Sequence, residues 1–189
     1  MRAGGLEWLV WVQRPGGTRD AVGGRLTSWT TVAEAWASIA PLTGREQLLA
    51  AQRQAESSHL VRLRFGRPLA GITASWRVVW GQRCTADPAT DALTVTGAIP
   101  YQVDDPVEFA NYGGALPAPL VANTKYFVKT ASAGVYTLTA TVGGVTLDLT
   151  TAGTGRTLFA PRALVIDQPP RTDSTGMIEL VCSEGLREE

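Results

Sequence analysis

Few residues in this chain could do covalent chemistry, and their spacing argues against it. His59 is the only histidine and follows Ser57-Ser58, but no nucleophile motif surrounds it, so a structural or surface role is expected over a general base. Asp104 and Asp105 are adjacent carboxylates directly before Pro106 and read as a turn. Glycoside hydrolysis needs a second acid across the scissile bond, and none can be placed by spacing. Gly153-Thr-Gly155 precedes a β-type run rather than a helix, so it is not a phosphate loop. Cys84 and Cys182 fall in different expected strands and match no metal spacing. They are expected to be free buried thiols of a reducing assembly compartment. The expectation is a protein that is not an enzyme and takes no cofactor and no metal.

The 189 residues suffice for one domain, or for one domain carrying a sizeable insertion. No apolar run approaches the roughly 18 residues of a membrane span, and the apolar start Leu6 to Val12 lacks a cleavage site. A soluble, intracellularly made protein with no membrane partner is expected. The formal net charge is zero but unevenly spread. Residues 1–83 hold 11 Arg and Lys against 5 Asp and Glu, a net of +6, while 84–160 and 161–189 each hold 3 against 6, a net of −3. The arginines read either as solvated strand faces or as a surface near DNA, without the motifs of sequence-specific recognition.

The elements that must position these residues are mostly strands. LEWLVWV, residues 6–12, alternates as a strand covered on both sides, and Pro15, Gly16 and Gly17 break it. Strands follow at about 27–40, 59–66 and 71–80. Trp36 and Ile39 are expected in the core, and Pro41 ends its strand because it can donate no ladder hydrogen bond. Thr43 and Glu46 have capping-box spacing and open a helix from about Gly44 to Glu56. Its apolar stripe of Leu48, Ala51 and Ala55 is too thin to hold it alone, so it leans on its own barrel or on a neighbouring subunit. All six tryptophans lie at 8, 11, 29, 36, 76 and 80. They read as core or subunit interface. Trp11 and Trp29 are the interface candidates among them, joined by Leu48, Leu49 and Gln52 on the helix-prone passage.

After Arg83 the composition changes to Thr, Ala, Gly and Val without Trp. The short runs DALTVT, PVEFAN, KYFVKTA, VYTLTAT, VTLDLTT and RTLFA are separated by glycine turns, the signature of an antiparallel β-module. ALVIDQ and MIELVC then resume as a closing hairpin around PPRTDSTG. The expected fold is mainly β: a small β-barrel with one short helix or long loop, residues 1–83 and 161–189, interrupted by an inserted antiparallel β-domain, residues 84–160.

With the insertion set aside, Trp36, Ala37, Ile39, Pro41, Gly44 and Glu46 fit the pattern W-A-x-(I/V)-x-P-x-x-G-x-E. Arg62 and Arg64 follow on one strand, Arg77-Val78 on the next, then a terminal hairpin. This order, over about 6–83 and 163–185, resembles the phage head-tail joining family of stopper or head-completion proteins. Residues 84–160, about 77 extra, depart from that pattern and are similar to a small β-rich unit that recurs inside phage structural proteins. The resemblance implies a virion protein at the head-tail interface, assembled in the host cytoplasm as a homo-oligomeric ring of six or twelve copies. Its implied partners are the portal-adaptor complex, a tail-completion or tail-tube protein, and double-stranded DNA passing non-specifically. The passage 42–58 is then either a channel loop that rearranges or a helix capping the barrel, and Arg45, Arg53, Arg62 and Arg64 are the candidates for facing DNA. Two other readings stay open: a tail-completion or tail-tube protein, and a β-module that binds host-surface carbohydrate through Tyr101, Tyr112, Tyr126 and Phe127.

Overall fold

A computed structural model describes residues 5–16, 28–42, 58–64, 66–97, 99–173 and 175–184. Among them the fold is mainly β, with a 3-10 turn at Arg67–Leu69. The strands are β1 (Trp8–Gly16), β2 (Ser28–Pro41), β3 (His59–Arg64), β4 (Arg77–Asp87), β5 (Ala92–Thr96) and β6 (Pro106–Val107). They continue with β7 (Phe109–Tyr112), β8 (Tyr126–Ser132), β9 (Val135–Thr139), β10 (Arg156–Ile166), β11 (Arg171–Thr172) and β12 (Met177–Glu184). The helix expected over about 44–56 lies outside the described residues. The chain divides into two compact units, Met1–Trp80 with Arg162–Glu189, and Gly81–Pro161.

In the first unit the strands β4-β1-β2-β3-β12-β10 are neighbours in that order, and a further β4–β10 pairing closes the circuit. Period-two alternation decides which residues fill it. Ile178, Leu180 and Cys182 of β12, Val61 and Leu63 of β3, Leu164 and Ile166 of β10, and Val10 and Val12 of β1 are almost fully buried. Their pairing agrees: Leu63 lies opposite Ile178 and Ala37, and Cys182 opposite Ile166. Trp8 and Trp80 meet edge to face with centroids 4.8 Å apart. Closure leaves no free sheet edge within the circuit, which removes the usual route to strand-mediated aggregation.

The second unit has its own core. Its strand path runs β6-β8-β9-β5-β4-β10-β7. Only Glu108 separates β6 from β7, and its carbonyl accepts a hydrogen bond from Ala160 N at 2.9 Å. One extended run, residues 106–112, therefore pairs with β8 at its start and β10 at its end. Val107 and Phe109 point inward from that run to join Leu93, Val95, Val128, Leu138 and Phe159. Phe159 is the hub: it stacks on Tyr136 at 5.3 Å and meets Tyr101 at 5.0 Å and Phe109 at 5.5 Å edge to face. Residues 111–118 and 150–157 interlock beside it. Asn111 Nδ2 donates to the Thr154 carbonyl and Thr157 Oγ1, and Gly155, at φ +75°, would drive a Cβ to within 2.6 Å of Gly114 N. Only glycine suits that backbone and that space.

Three local expectations are corrected. β1 continues through Pro15 to Gly16, opposite Trp29 and Ser28, after a register shift at Val12/Gln13. The strand expected at 71–80 begins only at Arg77, because Trp76 N bonds Thr73 O and closes a turn. VTLDLTT forms no strand beyond an isolated Thr139–Thr146 bridge. Its amides scatter: Leu147 N bonds Leu138 O, Leu149 N bonds the Asp91 carboxylate and Thr150 N bonds Ala118 O. Three different partners build no ladder.

The β11–β12 hairpin is organised by Asp173. Its Oδ1 accepts hydrogen bonds from Thr175 Oγ1 at 2.6 Å, Thr175 N at 2.8 Å and Met177 N at 2.9 Å. These bonds, the Thr175 hydroxyl first, hold its pKa below the ordinary carboxylate value of 3.8. A depressed folded pKa contributes stability that is fully present above the unfolded value and is lost as pH falls through the folded one. The stability difference between wild type and Asp173→Asn is expected to be largest near neutrality and to close as urea titrations move below pH 4. A difference that holds constant from pH 7 to pH 2 contradicts this.

Candidate functional site

His59 sits at the start of β3, sharing a 2.7 Å hydrogen bond between its Nδ1 and the Ser58 hydroxyl. Among the described residues, no three of His, Cys, Asp or Glu converge as metal ligands. No helix among them is long and apolar enough to cross a membrane. Asp104 and Asp105 form a turn, with the Asp105 carboxylate accepting from Gln102 N at 2.7 Å.

Both cysteines are free and buried. Burial pushes the Cys84 thiol up to about 12, and burial together with the negative Asp167 raises Cys182 further. Since the thiolate is the reactive form, both are expected to resist Ellman's reagent at pH 8 in the native protein and to react fully in guanidinium. Fast native labelling of either one contradicts the burial.

Arg62, on the outer face of β3, is committed to Glu179: the two are ladder partners, with Arg62 Nε 2.8 Å from Glu179 Oε1. This pairing neutralises one of the four arginines expected to face DNA. Arg64 is exposed at the end of β3. Arg45 and Arg53 lie outside the described residues, as do the interface candidates Leu48, Leu49 and Gln52.

The tryptophans differ sharply in exposure. Trp11 is 2% exposed within the single chain, so it serves this chain's packing and is not open to a neighbouring subunit. It lies opposite Glu34 and Val79. Trp29 is half-buried beneath the Arg77 guanidinium, 4.2 Å from its ring centroid, while Arg77 Nε donates to Gln13 Oε1 at 2.8 Å. Trp36, expected in the core, is instead 51% exposed. Register explains the reversal. Ala37 takes the inward position opposite Leu63 and Trp8, and one step along a strand changes face. No signal in composition distinguishes the two phases, because Trp36 and Ala37 are both apolar.

In the second unit, two of the four aromatics that motivated carbohydrate binding are otherwise engaged. Tyr126 is buried in the core and Tyr101 packs against Tyr136 and Phe159. Tyr112 is exposed and Phe127 half-buried.

Compared with known proteins, residues 1–85 match the family model described as phage head completion protein. The matched region contains β1 to β3 and the greater part of β4, and thus four of the six strands in the first unit's circuit. No curated protein matches the chain, and no solved structure does.

Proposed function

We propose, from the premise that residues 1–85 belong to the phage head completion family, that the protein closes the neck of a phage particle. In this reading copies form a ring beneath the portal and adaptor, seal the DNA channel after packaging and present the surface that receives the tail. The observation that carries the reading is the family match itself, which falls on the strands of a barrel. A barrel without free edges suits ring assembly, because copies meet through side chains at fixed positions. In this reading the passage 42–58 is the channel loop or barrel cap, and its two ends are tied together, Leu42 N bonding Ser58 O at 3.0 Å. Of the four candidate arginines, Arg45 and Arg53 are the ones proposed to meet DNA, non-specifically and with strong salt dependence.

The direct test adds purified protein to DNA-filled, tailless heads. Binding in ring stoichiometry with slower DNA loss is expected. A protein that persists as a monomer and leaves the heads leaking contradicts the proposal.

A further inference from the structure

The outer face of β2 and β3 carries an aromatic plate beside a cation. Ala37 and Leu63 pair across the antiparallel ladder and are both fully buried, so the exposed residues one step beyond the pair, Trp36 before Ala37 and Arg64 after Leu63, fall next to each other on the opposite face. Ser38 pairs with Arg62, whose charge Glu179 already balances. Arg64 has no ion-pair partner among the described residues. An exposed Trp flanked by Arg is the composition of an interface hot spot, since it joins a large apolar area to a directional charge.

The second unit offers the complement. In the turn of residues 102–105, Val103 is 56% exposed and is followed by Asp104 and Asp105. The turn is braced: Asp104 N bonds Val128 O at 2.7 Å, Val128 N bonds Asp105 O at 3.1 Å, and the Asp105 carboxylate holds Gln102 N. That leaves the Asp104 carboxylate, on an exposed residue at φ +68°, facing solvent next to an exposed valine.

We propose that the Trp36–Arg64 face of one copy receives the Val103–Asp104 turn of a second copy, with Val103 against the indole and Asp104 against the guanidinium. Charge favours this occupant. Residues 1–83 and 161–189 together carry a net +3, from +6 and −3, and residues 84–160 a net −3, so the two surfaces of one sequence attract each other between copies. The contact is heterologous: each copy gives a turn to one neighbour and a face to another, the arrangement that generates a ring when the rotation between copies closes. It rests on the ring reading above and assigns that ring its contact.

The test is sedimentation velocity of the full chain over a concentration series. Wild type is expected to associate as concentration rises, and Trp36→Ala, Arg64→Asp and Asp104→Lys each to sediment as monomers. Asp104→Asn, which suits the same left-handed backbone, should weaken association. Mixing the Arg64→Asp and Asp104→Lys chains should restore it, because each supplies the surface that the other's altered residue now fits. Tryptophan and tyrosine emission checks that every variant is folded. A wild type that stays monomeric, single variants that associate like wild type, or a mixture that stays monomeric overturns the contact. Head binding is read separately: a chain that completes heads with its Arg64→Asp variant fully active keeps the neck role and loses this contact. Association through this contact without head binding does the reverse.

Discussion

A chain that stops after Pro161 is expected to lose the cooperative unfolding of its first unit. The missing residues supply part of β10 and all of β12, the two strands that close the circuit between β3 and β4. With them go Leu164, Ile166, Ile178, Leu180 and Cys182, all almost fully buried. Each of the four Leu and Ile side chains is worth about 1.5–3 kcal/mol on burial, so their combined loss of about 6–12 kcal/mol is comparable to the about 5–15 kcal/mol by which a domain is usually stable. The readout is selective, because all six tryptophans lie at or before residue 80 and all four tyrosines between 101 and 136. Tryptophan emission thus follows the first unit and tyrosine emission the second. The truncated chain should show red-shifted tryptophan emission without a sigmoidal urea transition. An unchanged tryptophan transition shows that residues 1–80 close their own core and that the circuit is misassigned.

Phe159→Ala is expected to destabilise the second unit by about 3–5 kcal/mol, the usual cost of emptying a buried aromatic site. Three rings contact Phe159 and none of its surface is exposed, so collapse around the cavity would have to disturb Tyr136, Tyr101 and Phe109 together. Edge-to-face and stacked pairs add about 0.5–1.5 kcal/mol each beyond area, so the value should fall in the upper part of that range. The midpoint of the tyrosine-monitored urea transition should drop accordingly. A change below about 1 kcal/mol means that the ring cluster does not hold this unit together.

The sequence made the β-class of this fold legible because period-two alternation is strong wherever one face is buried. MIELVC and HLVRLR read directly as strands, and both are. Register was not legible. Trp36 and Ala37 are both acceptable core residues, and only pairing with Leu63 and Trp8 decides which turns inward. The run VTLDLTT has the same alternation as its neighbours, yet its amides are claimed by the Asp91 side chain and the Ala118 carbonyl, long-range partners that no local pattern reveals. Arg62 illustrates the same limit for the site: its charge is cancelled by a glutamate 117 positions away. The family resemblance was legible because it rests on residue identities from Trp36 to Glu46 and on Arg77-Val78, which lie inside the matched 1–85.

The central claim, that this protein completes phage heads, is tested most directly by electron microscopy of particles made when its gene carries an early stop codon. Separate heads, empty or leaking DNA, beside complete free tails are expected. Intact tailed particles that merely fail to adsorb would contradict it and move the function to the second unit.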